Sequence, residues 1–195
     1  MHLPSMIDPA RQSLLSLLSA HSPADDVERA HVTAVHALVS SEPECFARGT
    51  FVPGHLTASA FVVDGAGRLL LHHHRRLDRW LQMGGHDEGE HDPEKTARRE
   101  AEEESGLVDL ELVRIGPSGL LDVDVHRIPE GKREPAHLHH DLRYLFVTRS
   151  PDAIHAQVEE SLDLAFFPLR EAEAKLGEAS ARRVIAKIQA ALDRR

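Results

Sequence analysis

Cysteine is nearly absent from this 195-residue chain. Cys45 stands alone, which excludes an internal disulfide and any multi-cysteine zinc site, and it fits a reducing compartment. Nowhere is the chain apolar for long enough to span a bilayer, and its start lacks the basic stretch and apolar run of a secretory signal. The cytoplasm is therefore the expected location. Positive charge is in deficit: 23 Lys and Arg against 32 Asp and Glu leave a net charge of −9. A phosphate-backbone binder needs the opposite balance, so nucleic acid is not expected as a partner, and without a spanning segment neither is a membrane. An acidic chain that acts on a small anion needs metal ions between the two. Internal repeats and low-complexity tracts are also missing.

What is present suits one domain of ordinary size with an extension. The length is sufficient for a proper core, and hydrophobic residues at 41% fit a globular chain. Residues 1–50 read as a helical extension. Asp8-Pro9 opens a helix with Leu14, Leu15, Leu17 and Leu18, and Ser22-Pro23 opens a second with Val27, Ala34, Val35 and Leu38. Such stripes usually pack on a core, with substrate shaping or homodimerisation as secondary roles for this segment. Ser41-Glu42-Pro43-Glu44 ends it.

Residues 51–195 carry the strand signals. Leu56 to Val63, Arg68 to His74, Leu110 to Ile115, the alternating Leu121, Val123 and Val125, His137 to Thr148, and Leu162 to Phe166 read as strands. Val184, Ile185, Ile188 and Leu192 give a final helix its buried stripe. Helices before, between and after strands predict an α/β (α+β) domain, a mixed sheet in an α/β/α sandwich.

One helix breaks local rules. Asp92 suits an N-cap, Pro93 the first helical position and Gly106 the stop. Between them Glu100, Glu103 and Glu104 fall at i, i+3 and i+4, so three carboxylates crowd one face in the last turns, where the helix dipole prefers cations. Arg98–Glu102 and Arg99–Glu103 pairs offset part of that repulsion. A cation held by the three carboxylates would offset the rest, and uncompensated local conflict is where function is expected.

The longer pattern resembles the Nudix (MutT-like) hydrolase box. Gly85, five residues, His91, seven residues, then Arg99-Glu100-Ala101-Glu102-Glu103-Glu104-Ser105-Gly106-Leu107 follow G-x5-E-x7-R-E-U-x-E-E-x-G-U over 23 residues, U being apolar. The departure is His91, which stands where the family has a supporting glutamate. Glu90 is adjacent but one residue out of register, some 100° around a helix. The segments Leu71–His74, Trp80–His86 and His137–Tyr144 also resemble a bacterial Nudix group with a Gly-Gly-His start to the box, a resemblance that names no substrate.

The resemblance implies the Nudix fold and a pyrophosphohydrolase of a nucleoside diphosphate linked to another moiety. It implies Glu103 and Glu104 as metal ligands, Glu100 as a further ligand or the general base, the Gly85 carbonyl as completing the coordination, and Arg99 as orienting the carboxylates. The cofactor is Mg²⁺ or Mn²⁺, since carboxylate oxygens are hard ligands. Arg75, Arg76, Arg79 and Arg143 are candidate phosphate or sugar contacts, and Glu159 or Glu160 could supply a base from a later loop. Two other readings follow from the same residues. His91 makes a non-catalytic nucleotide-binding module thinkable, and an isopentenyl-diphosphate isomerase-like protein would require Cys45 as its active-site thiol. The histidines, fifteen in all, cluster at His72–His74 and at His137, His139 and His140. His137 and His139 share a strand face, yet no second cluster of known proximity is visible, which favours ordinary surface or pocket-lining histidines.

Overall fold

A computed structural model describes residues 7–155 and 161–195. Its elements run α1 (Pro9–Ser19), α2 (Asp26–Ser41), β1 (His55–Val63), β2 (Leu69–His74), β3 (Arg79–Leu81), β4 (Met83–His86), α3 (Pro93–Ser105), β5 (Glu111–Val113), β6 (Asp122–Ile128), β7 (His137–Val147), β8 (Ser161–Phe167), α4 (Leu169–Leu176) and α5 (Ala181–Leu192).

The parallel pair of β1 and β7 is the spine. It runs unbroken from His55 opposite His139 to Val63 opposite Val147. On its free edge β1 pairs antiparallel with β4 and then with β2, while β7 pairs antiparallel with β6 and then β5. The sheet is completed by β8 and β3 on β2. Both faces are covered, so both strands of the spine are buried almost throughout, as parallel strands usually are.

Alternation along β1 sorts the core into two layers. Leu56, Ala58, Ala60 and Val62 face α1, α2 and α3, meeting Leu14, Leu18, Val35, Leu38, Val39, Ala97 and Ala101. Phe61 and Val63 face α4 and α5, meeting Leu176, Val184, Ile185 and Ile188. The N-terminal helices thus share one apolar cluster with the sheet. Glu28 of α2 also accepts a hydrogen bond from the Val123 amide of β6 and ion-pairs with Lys187 of α5, which ties α2 to both.

Local signals set the helix ends. Asp8 accepts from the Arg11 amide, and Asp92 from the amides of Glu94 and Lys95. Gly106 ends α3 at φ 73°, where any residue with a Cβ would be strained. The start of α2 differs from the expected Ser22-Pro23, because Asp25 is the residue whose side chain caps the helix, accepting from the Glu28 amide at 2.7 Å. Val27 consequently lies on the solvent side, 57% exposed. The helix α4 was not expected; its stripe is only Ala172 and Leu176, with Gly177 at φ 59° as the stop.

Candidate active site

The strand β4 brings the box together. Its glycines lie opposite Ser59 and Ala58 of β1, and α3 lies over them. A Cβ on Gly85 would meet the Glu100 Oε1 at 2.3 Å, and one on Gly84 would meet the Ser59 hydroxyl at 2.7 Å. At Gly84 the backbone of Ala58 and Ser59 leaves no room for a side chain, and at Gly85 the Glu100 carboxylate occupies that room. Glu104 is buried at 6% exposure and accepts a hydrogen bond from the Gly84 amide at 3.2 Å. Glu103 is the open member, half exposed.

Arg99 holds the acids in place. Its guanidinium donates to Glu90 at 2.5 Å, to Glu103 at 2.9 Å and to the His86 carbonyl at 2.8 Å, and it lies 3.0 Å from Glu100. Burial works to lower its pKa, but this ring of carboxylates outweighs burial and raises it, so the arginine is a fixed cation. The expected Arg99–Glu103 pair is present. Arg98, by contrast, donates to the Leu110 carbonyl and lies over the Phe146 ring at 4.9 Å, rather than serving Glu102.

The expectation for Glu90 and His91 needs correction. A one-residue slip turns a side chain away only on a helix, and α3 begins at Pro93. Residues 90 and 91 are loop, and His91 takes a left-handed φ of 49°. That turn presents Glu90 to Arg99 and leaves the His91 ring stacked on Phe46, centroids 5.0 Å apart. Burial pulls the Glu90 carboxyl up, but the Glu88 amide and Arg99 outweigh it and bring it down to about 2. A carboxylate thus reaches Arg99 from the position one residue before His91.

The glutamates offer only hard oxygen donors, and the Gly85 carbonyl adds another, a set that fits Mg²⁺ or Mn²⁺. Arg99 holds Glu100 and Glu103, while the Gly84 amide holds Glu104. Among the described residues, the group of three metal-competent side chains whose donor atoms lie within 4.8 Å of one another is His55, His137 and His139.

The model of the NUDIX domain matches residues 53–188. The chain belongs to the NUDIX family. Among solved structures, a NUDIX-family hydrolase from Clostridium perfringens is 27% identical over 69% of this chain and 96% of its own, with a TM-score of 0.52. The Ap4A hydrolase of C. elegans is 20% identical over 72% of this chain and 98% of its own, TM-score 0.57. The dihydroneopterin triphosphate pyrophosphohydrolase of E. coli is 16% identical over 67% and 91%, TM-score 0.54. The latter two share the fold. No curated protein matches the chain. Box, fold and the clostridial relative together place this protein among the Nudix-type hydrolases.

Around the NUDIX box the remaining candidates scatter. Arg143 is fully buried, not a substrate contact: it lies 2.9 Å from Asp141, 3.3 Å from Asp124, 3.7 Å from Asp122 and 3.2 Å from Glu178. Those carboxylates outweigh its burial and raise its pKa. Nothing in the strand pattern distinguished it, because strand alternation gives the face and not the depth. Arg79 donates to the Leu176 carbonyl at the end of α4, while Arg75 is exposed in the turn between β2 and β3. Glu159 and Glu160 lie outside the described residues. Cys45 is fully buried, and burial pushes its thiol up to about 11, which gives an isomerase reading no reactive thiolate.

In the run His72–His74 the first and third rings meet edge to face, centroids 5.6 Å apart, while the middle one turns to the other side of the strand. His72 is buried against the Ser161 hydroxyl, and His73 stacks on Trp80 and pairs with Asp78. His86 was missed. It follows Gly85 on β4, so its ring points to the sheet face opposite α3, where it lies 5.1 Å from the His55 ring and 5.0 Å from His139. Burial lowers His86 to about 4 and His139 to about 2, keeping both rings neutral.

Proposed function

We propose that this NUDIX hydrolase cleaves a phosphoanhydride bond in a nucleoside diphosphate linked to another moiety, with Mg²⁺ or Mn²⁺ as cofactor. The observation that carries the reading is the contact of the Glu100 carboxylate with Gly85, beside a Glu104 fixed by the neighbouring amide. A helix tolerates three repelling carboxylates at its negative end when they are held for a purpose.

Glu103, Glu104 and the Gly85 carbonyl would hold the ion. Once bound there, the metal supplies charge neutralisation on the diphosphate and a more acidic water. The protein's own part is positional. Arg99 holds Glu90 and Glu103 through one hydrogen bond each, pairs with Glu100, and clamps the chain through the His86 carbonyl. Glu100 takes the proton from the attacking water. The new bond runs from that oxygen to phosphorus, and the bridging phosphorus–oxygen bond breaks, the electron pair leaving with the departing phosphate. The neighbours' named activities, on Ap4A and on dihydroneopterin triphosphate, are of this reaction type. The Gly-Gly-His start at 84–86 supports assignment to the bacterial group that shares it.

The test is a panel of nucleotide sugars, ADP-ribose, dinucleoside polyphosphates and nucleoside triphosphates, each with Mg²⁺ or Mn²⁺ in ¹⁸O-water. Metal-dependent cleavage with ¹⁸O in one phosphate product identifies the substrate class and the phosphorus attacked. Nucleotide binding with no cleavage of any member would overturn the reading in favour of a binding module.

A further inference from the structure

Four histidines from three strands meet at one end of the sheet, on the face away from α3. His55 and His139 are direct neighbours in the parallel pairing of β1 and β7. His137 lies two residues before His139 and shares its face. His86 comes from β4, opposite Thr57. Ring centroids are 5.0 Å apart for His55 and His137, 4.9 Å for His55 and His139, and 5.1 Å for His137 and His139.

For two of the rings a hydrogen bond fixes which nitrogen is free. The Nδ1 of His55 lies 3.1 Å from the Thr50 carbonyl, and that of His137 lies 2.8 Å from the Pro135 carbonyl. A carbonyl only accepts, so each Nδ1 carries the proton and donates. In the neutral ring Nε2 then presents a lone pair. Both Nε2 atoms, and the Nε2 of His86, are buried without a hydrogen-bond partner. Buried acceptors rarely stay unmatched, and no protein donor meets these. Imidazoles whose far nitrogen is tied to a backbone carbonyl are how proteins orient metal-binding histidines.

We propose that His55, His137 and His139, with His86 at the open side, bind a transition-metal ion, Zn²⁺ by preference, at a site separate from the NUDIX glutamates. The donor atoms of the first three already lie within 4.8 Å of one another. Ligands around tetrahedral Zn²⁺ sit roughly 3.3 Å apart, so small ring movements close the site. An all-imidazole set suits Zn²⁺ and disfavours Mg²⁺. The ion would pin β1, β7 and β4 to one another. Through the His86 carbonyl, which accepts from Arg99 at 2.8 Å, it would also brace the arginine of the box.

The full chain, stripped with EDTA, is titrated with Zn²⁺ alone and with Co²⁺ as a spectroscopic probe. Expected are one Zn²⁺ per chain, the intense visible bands of tetrahedral Co²⁺, and an X-ray absorption shell of imidazole nitrogens. His137→Gln/His139→Gln should weaken Zn²⁺ binding at least ~100-fold, while Glu103→Gln/Glu104→Gln keeps it. The X-ray absorption spectrum of the wild type reads the ligands even if the histidine variant fails to fold. Failure to bind stoichiometric Zn²⁺, an oxygen-dominated shell, or loss of the ion in the glutamate variant instead would overturn the proposal. Each outcome is independent of whether a diphosphate is hydrolysed.

Discussion

The carboxylate of Glu100 rests against the α-carbon of Gly85, so closely that a methyl group there would overlap its Oε1 at 2.3 Å. One residue of the strand and one of the helix are thereby fitted to each other, while Glu104 is held by the neighbouring Gly84 amide and Glu103 by Arg99.

Gly85→Ala should displace Glu100 or force α3 outward. Overpacking of this kind costs about 1–3 kcal/mol, so the variant folds with a lowered Tm and loses most of its turnover. Calorimetry together with kcat on the substrate found in the panel checks this. Wild-type turnover in the variant would show that the contact is dispensable.

Glu90 and His91 separate the sequence pattern from the structure. Because Glu90 already engages Arg99, restoring the family residue by His91→Glu should leave kcat within about twofold, whereas Glu90→Gln should lower it roughly tenfold or more, as expected for an outer partner of the ligands. A gain from His91→Glu would mean that the register, not the loop, decides. The comparison is read as kcat of both variants at saturating metal.

These two residues also show what the sequence held and what it hid. The box helix with its caps, its glutamates and the Gly85 start was legible because each depends on local spacing along a helix. Glu90 was hidden because its role depends on a left-handed turn at His91 in a loop, where helical register carries no information. His55 was hidden for another reason. Its distance from His137 is 82 residues along the chain, and only the parallel register of β1 and β7 makes them neighbours. Arg143 misled because a lone arginine in a strand reads as a solvent-facing hand for anions, whereas four acids, from β6, β7 and the connection between α4 and α5, surround it.

Arg143→Met should destabilise the fold strongly, since removing one partner leaves buried carboxylates unpaired, a loss of about 3–5 kcal/mol. The KM of the molecules that remain folded should not change. Urea denaturation and substrate titration distinguish this from a substrate-binding role, for which KM would rise while stability held.

The same buried network sets a pH dependence. Burial works to raise the Asp124 carboxyl, but the hydrogen bond from His126 and the charge of Arg143 outweigh it and hold the group at about 2. A carboxylate with its folded pKa depressed contributes stability that is full above the unfolded value, about 3.9, and is lost as pH falls towards 2. Asp124→Asn should therefore be less stable than wild type at neutral pH, and the gap should narrow between about pH 4 and 2. Thermal melts across that window would show a constant gap if Asp124 were not the titrating group.

The central claim is that Glu100, Glu103 and Glu104 act with a divalent ion to hydrolyse a diphosphate. Its most direct measurement is the Mg²⁺ and Mn²⁺ dependence of kcat for wild type and Glu104→Gln on one substrate, with circular dichroism to establish that both are folded. Expected is turnover that vanishes on chelation, returns with either ion, and falls ~10²–10⁴-fold in the folded variant. Turnover that persists in the chelated enzyme, or is undiminished in Glu104→Gln, would contradict it.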